Sequence, residues 1–241
     1  MILTIDIGNT CVTAGLFLDN RLVKKFSVPT RLAAGRMFLS AIKTDTVKAA
    51  VIASVVPKAT DALIKNLKKV FPMLKPVVLG NNALVPIKNA YKFPKQVGQD
   101  RLVNAYAAIQ LYGCPAIVVD FGTAITIDVI SSKKEYKGGV ILPGLQTSLD
   151  ALSERTALLP AISLSKPDNL IGRDTKNSML SGAVYGFACL TDNLTAKIRA
   201  QIGKNTPVIG TGGHIKFISR YCACFTAIDP DLTLKGLNLL A

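Results

Sequence analysis

Ile2-Leu3-Thr4-Ile5-Asp6-Ile7-Gly8-Asn9-Thr10 decides how this chain is read, because its pattern returns as Ala116-Ile117-Val118-Val119-Asp120-Phe121-Gly122-Thr123-Ala124. Each stretch is an apolar run of strand length that ends in Asp-x-Gly. The run predicts a buried strand, and the glycine predicts a tight turn where backbone can come close to a ligand. Each turn offers one carboxylate suited to a hydrated cation. Each also offers a hydroxyl and turn amides suited to phosphate oxygens. A third turn, Val208-Ile209-Gly210-Thr211-Gly212-Gly213, also follows an apolar run. One acidic turn would be an ordinary loop. Two, with a late glycine turn, point to a nucleotide held between two similar halves.

Working outward from these turns, residues 2–28 read as a three-strand meander: Ile2–Ile7, Val12–Leu18 and Arg21–Val28, with Asp19-Asn20 turning the second hairpin. A helix-period segment runs from Arg31 to about Ile42. A buried strand (Ala49–Val56), a helix opened by Pro57 and a strand at Pro76–Leu79 follow. Residues 88–99 read as irregular, and a helix begins near Asp100. After Gly113-Cys114-Pro115 the meander restarts with Ala116–Asp120, Ile125–Ile130 and Glu135–Ile141. A helix follows Gly144, and a longer one is expected from Ser178 to Ile202. The expectation is an α/β chain of two domains, 1–115 and 116–241, with the end of the chain returning to the first half.

Composition narrows the class. Hydrophobic residues make up 49% of the 241 and aromatics only 6%, so small aliphatics build the interior, as layered α/β packing needs. No apolar stretch approaches the ~20 residues of a spanning helix, and Asp6 interrupts any signal-peptide core. The expectation is a soluble cytoplasmic protein with no membrane partner. Five cysteines without a C-x-x-C pair read as reduced, structural thiols. A single histidine, His214, argues against zinc sites and His-based triads. The net charge of +14 is uneven, with +11 on residues 1–115 and +3 on the rest. It would favour anionic ligands. The absence of basic stretches interleaved with aromatics argues against nucleic acid. No G-x-x-x-x-G-K-[ST] loop and no G-x-G-x-x-G turn after a strand occur, which argues against P-loop and dinucleotide enzymes.

The turns, in this order, resemble those of the superfamily of acetate and sugar kinases, heat-shock chaperones and actin. The whole chain resembles type III pantothenate kinases. The resemblance rests on Asp6-Ile-Gly-Asn-Thr10, on Tyr91-x-x-Pro94 before Gly98-Gln-Asp-Arg101, and on Asp120-Phe-Gly-Thr-Ala124 with Thr126 and Asp128. It extends through Gly138-Gly-Val-Ile-Leu-Pro-Gly144, Gly172-Arg-Asp-Thr175 before Ser181-Gly182, Gly210-Thr-Gly-Gly213 and Asp231-Leu-Thr-Leu-Lys-Gly236. Gln99 stands where small residues such as Ala are more usual.

The resemblance implies two actin- or ribonuclease-H-like domains, each a mixed sheet with flanking helices, and a nucleotide cleft between them. It implies ATP-dependent phosphorylation of pantothenate to 4′-phosphopantothenate, the first step of coenzyme A biosynthesis, by a homodimer. On this reading Asp6, Ile7, Gly8, Asn9, Thr10, Cys11, Val12 and Thr13 wrap the phosphates, with Asp6 facing Mg²⁺. Thr123, Gly210 and Gly212 touch ATP, and Asp120 binds K⁺ or NH₄⁺. Tyr91, Gly98, Gln99, Asp100, Arg101 and Thr175 contact pantothenate, with Asp100 accepting the hydroxyl proton. The competing readings are a non-catalytic accessory or regulatory protein of the same family with a basic surface, or a superfamily enzyme acting on another small molecule. For Asp100 itself, a helix-cap role is the structural alternative.

Overall fold

The computed structural model describes residues 1–33, 35–42 and 47–241. The chain forms two compact units, Met1–Leu111 with Asp231–Ala241, and Tyr112–Pro230. The division thus falls between Leu111 and Tyr112 rather than near Pro115. The last segment groups with the first unit, not with residues 116–230.

In the first unit, strands β1 (Ile2–Ile7), β2 (Cys11–Leu18) and β3 (Arg21–Pro29) form an antiparallel meander. The β2–β3 hairpin turns through Asp19 and Asn20, both at positive φ, the geometry for which Asn and Asp are best suited. Strands β4 (Ala49–Ser54) and β5 (Val77–Val78) add in parallel beyond β1, giving the order β3-β2-β1-β4-β5. A two-residue strand β6 (Lys88–Asn89) lies in the segment read as irregular.

Helix α1 (Arg36–Ile42) covers part of the segment read as helical from Arg31, after a 3₁₀ turn at Thr30–Leu32. Helix α2 (Pro57–Val70) starts with Pro at its first position, where the missing N–H costs nothing. It turns Thr60, Leu63 and Leu67 inward, and Lys68 and Lys69 in its last turn complement the helix dipole. Leu63 and Leu67 join Leu3, Ile5, Ile7, Val12 and Ile52 in one core cluster. Helix α3 (Gln99–Tyr112) follows. Helix α8 (Leu232–Asn238), in the returning segment, packs on β1 and β4. Its Gly236 sits where a Cβ would lie 2.7 Å from a Val103 methyl of α3.

The second unit repeats this plan. Strands β7 (Ala116–Phe121), β8 (Ala124–Ile130) and β9 (Glu135–Pro143) form the meander. Strands β10 (Val208–Thr211) and β11 (Ala227–Ile228) add in parallel beyond β7, so the unit's strands run β11-β10-β7-β8-β9. Two meanders of the same connectivity, each with parallel strands added beside its first, make the repeat a feature of topology.

Helices α4 (Leu145–Arg155), α5 (Thr175–Ser181), α6 (Phe187–Ile202) and α7 (Ile215–Ile218) complete the unit. The helix expected over residues 178–202 is α5 and α6 joined by a π turn at Gly182–Gly186. Gly182 and Gly186, poor helix formers, bound that turn. The core centres on Ile117, Val119, Phe121, Ile127, Val208 and Ile215. All five cysteines are free. Burial pushes the Cys222 and Cys224 thiols up to about 12.

Candidate active site

Asp6 is placed by strand alternation. Ile5 and Ile7 enter the core while Asp6, opposite Thr13 on β2, stays half-buried at the end of β1. The following turn is closed by Gly8 N–H donating to the Cys11 carbonyl at 3.0 Å. A Cβ on Gly8 would lie 3.2 Å from that oxygen. Thr30 clamps the turn, its hydroxyl donating to the Gly8 carbonyl (2.7 Å) and its N–H to the Thr10 carbonyl (3.0 Å). Asn9, Thr10 and Cys11 are left exposed at its tip. Ile7 and Val12 bury their side chains, so only their backbone could serve a ligand. Thr13 Oγ1 and Ser27 Oγ share a hydrogen bond at 2.9 Å. Nothing in the sequence marked Thr30 as part of this turn, because its contacts run to backbone atoms far away along the chain.

The same unit carries Gly98-Gln99-Asp100-Arg101 at the start of α3. Asp100 is inside the first turn rather than at the cap, and Oδ1 accepts the Arg101 N–H at 2.9 Å. A Cβ on Gly98 would collide with that oxygen, so the glycine lets the carboxylate fold back over the chain. Burial raises the Asp100 proton affinity, outweighing the Arg101 N–H and guanidinium, which lower it. Arg101 is itself buried. Gln99 lays its amide over Gly80, which has φ +80°, at 2.9 Å from where a Cβ would stand. Tyr91 is half-buried in a loop tied by Asn89, whose Oδ1 accepts the Tyr91 N–H and whose Nδ2 donates to the Pro94 carbonyl.

In the second unit Asp120 is the penultimate residue of β7, between Thr126 on β8 and Thr211 on β10. The turn after it is closed by Gly122 N–H to the Ala124 carbonyl at 3.1 Å. The Thr123 carbonyl accepts from Gly144 N–H (3.0 Å) and Thr147 Oγ1 (2.8 Å), seating the turn on the start of α4 and leaving the Thr123 side chain exposed. Gly212, at φ +98°, packs its backbone onto the same turn, where a Cβ would strike Asp120 Oδ1 and lie 2.6 Å from the Phe121 nitrogen. The structure therefore brings Asp120, Thr123 and Gly212 together. Gly210 has a packing role, since a Cβ there would lie 2.5 Å from Ile215 Cδ1 and 2.9 Å from the Phe225 ring. Asp128 and Thr126 form a polar network: buried Asp128 accepts from Tyr136 Oη (2.8 Å) and Thr126 Oγ1 (3.0 Å).

Thr175 opens α5. The Asp174 side chain caps that helix by accepting the Asn177 N–H at 2.8 Å, and its carboxyl is held below the usual range by Asn177. Gly172 packs on the helix so closely that a Cβ would strike the Ser178 nitrogen. Thr175 is exposed and faces a largely apolar cavity of about 1020 Å³, shared with Arg173, Thr147, Leu152, Leu159 and Met179. Those apolar walls were not singled out from the sequence, because they come from α4, α5 and the loop between them.

Comparison with known proteins gives this geometry its context. The family model for type III pantothenate kinase matches residues 2–197. The chain belongs to the type III pantothenate kinase family. It is 40% identical to a type III pantothenate kinase of Halalkalibacterium halodurans, covering 100% of this chain and 98% of that one. It is 38% identical to one from Agathobacter rectalis, covering 100% and 96%. Among solved structures, a Baf-family protein from Campylobacter jejuni superposes with a TM-score of 0.63 at 24% identity, over 99% of this chain and 96% of that one, which shows a shared fold. In this member of the family the Asp6 turn and Asp100 lie in one unit, and the Asp120 turn and Thr175 in the other.

Proposed function

We propose that this chain transfers the γ-phosphoryl group of ATP to the hydroxyl of pantothenate, giving 4′-phosphopantothenate and ADP, as the type III pantothenate kinases it matches over its full length are named. The observation that carries the reading is Asp100. It is a half-buried carboxylate folded back over Gly98, with a raised proton affinity. Such a group suits accepting the substrate hydroxyl proton as the oxygen attacks phosphorus and the bond to ADP breaks. Burial of that charge lowers stability at neutral pH, a burden that a purely regulatory protein has no use for.

The remaining roles follow from donor chemistry. The exposed tip Asn9-Thr10-Cys11 and the backbone from Ile7 to Thr13 would hold phosphate oxygens. Asp6 would meet Mg²⁺, which when bound neutralises phosphate charge. One carboxylate fits a metal that rides mainly on substrate phosphates. Asp120, with the turn oxygens about it, offers the hard donors that K⁺ or NH₄⁺ takes. Thr123 and Gly212 would touch the nucleotide. Arg101 would hold an anionic group of the substrate, and Tyr91, Gly98 and Gln99 would line that site. Thr175 would bond pantothenate in the apolar cavity. Exposed Leu158, Leu170 and Ile171 neighbour that cavity's residues in sequence, which supports a homodimer whose partner covers this face. Cytoplasmic placement accords with a metabolic kinase, and no helix among the described residues is long and apolar enough to cross a membrane.

Purified protein given ATP, Mg²⁺, K⁺ and pantothenate should yield a pantothenate species heavier by one phosphoryl group, read by mass spectrometry. Unchanged pantothenate under every cation condition would overturn the proposal.

A further inference from the structure

His214 is the chain's only histidine and follows directly on Gly210-Thr-Gly-Gly213. Its backbone is fixed on both sides. The N–H donates to the Phe121 carbonyl at 3.1 Å, tying it to the Asp120 turn, and its carbonyl accepts from Phe217 and Ile218, both at 3.0 Å. The residue is half-buried. Nδ1 is buried and has no hydrogen-bond partner among the described residues. Burial also lowers the proton affinity of the ring, so the neutral form is favoured.

These facts place the one remaining ring proton. A buried N–H without an acceptor is the rarer and worse defect, so Nδ1 is the bare nitrogen and the proton sits on Nε2. An apolar side chain at this half-buried position would leave no stranded polar atom, so the imidazole calls for an explanation outside packing. The neighbouring groups supply one: the turn that His214 is bonded to contains Asp120, Gly122 and Thr123. We propose that His214 is a nucleotide-binding residue, its Nε2–H donating to an oxygen of the bound adenine nucleotide. The inference rests on the kinase reading above, which assigns that turn to ATP, and adds a donor that carries no charge. The acceptor is a ribose hydroxyl or a phosphate oxygen, and both present the same chemistry to an N–H.

A single histidine makes the test direct. In ¹⁵N-labelled full-length protein, the imidazole nitrogens give signals from His214 alone, and long-range ¹H–¹⁵N spectra report which one carries the proton. The free protein should show a protonated Nε2 and a bare Nδ1. Saturating Mg²⁺·ADP, with occupancy read independently from the ³¹P signals, should shift Nε2, whereas pantothenate alone should not. Adenosine reproducing the shift assigns the acceptor to the ribose, and a shift with ADP only assigns it to phosphate. In kinetics, His214→Leu should raise KM for ATP about three- to tenfold, the worth of one neutral hydrogen bond. KM for pantothenate should stay unchanged, and His214→Gln, which keeps an N–H donor, should recover part of the loss. ADP bound at full occupancy with no change at Nε2 would overturn the inference and leave the kinase reading standing. No ADP binding at all would overturn both.

Discussion

At the scale of single residues, Asp100 separates the two readings of its motif. A helix-cap role expects Asp100→Asn to melt slightly lower and turn over normally. A proton acceptor expects kcat to fall by ~10²–10⁴-fold with ATP binding intact. The pH dependence gives a second check. The folded-state proton affinity of Asp100 is raised by burial, so its contribution to stability is complete below the ordinary aspartate range and is lost as pH rises through the raised value. Asp100→Asn should therefore melt higher than wild type at neutral pH, and the gain should vanish in acid. A lower melt at pH 7 with normal turnover would leave Asp100 as a structural residue only. Asp120 carries a cation prediction: K⁺ or NH₄⁺ should activate and Na⁺ much less, and equal rates in all three would refute its assignment. Asp6 and Asp120 could be recognised in sequence because strand, carboxylate and glycine lie within nine residues of one another. The packing role of Gly210 could not, because Ile215 and Phe225 reach it only through the fold.

At the scale of elements, the two meanders were readable from alternating and continuous apolar runs bounded by turn residues. Helix α8 and strand β11 were not, since pieces of two to seven residues hold too little periodicity to register. Gly212 is the point where two elements depend on each other. Gly212→Ala would strain a backbone at φ +98° and drive a methyl into Asp120 and Phe121. It should lower stability by about 1–3 kcal/mol and weaken ADP binding, checked by thermal melts and calorimetric titration. Full ADP affinity in a folded variant would show that the two turns work separately. Tyr112 Oη donates to Asp229 at 3.0 Å, joining the end of α3 to the residue after β11, and burial followed by the Asp229 charge pushes its phenol up to about 12. Tyr112→Phe should cost about 1 kcal/mol in urea unfolding, the worth of one such bond.

At the scale of the whole molecule, sequence pattern pointed to two similar halves and to the return of the chain's end to the first, although a boundary at residue 115 counted residues 231–241 with the second. Asp231–Ala241 belongs with the first unit because α8 packs on β1 and β4, contacts between opposite ends of the chain whose partners no local pattern encodes. The large cavity was hidden for the same reason: α4, α5 and their connecting loop each contribute a few apolar side chains to it. If a second copy covers that face, light scattering should give a dimer mass, and a monomer with full activity would rule this out. The central claim concerns chemistry and is tested most directly by steady-state ADP release from purified protein with ATP, Mg²⁺ and K⁺, with and without pantothenate. The expected result is ADP release that depends on pantothenate and is lost in Asp100→Asn; release indifferent to pantothenate, or none under any cation condition, would contradict it.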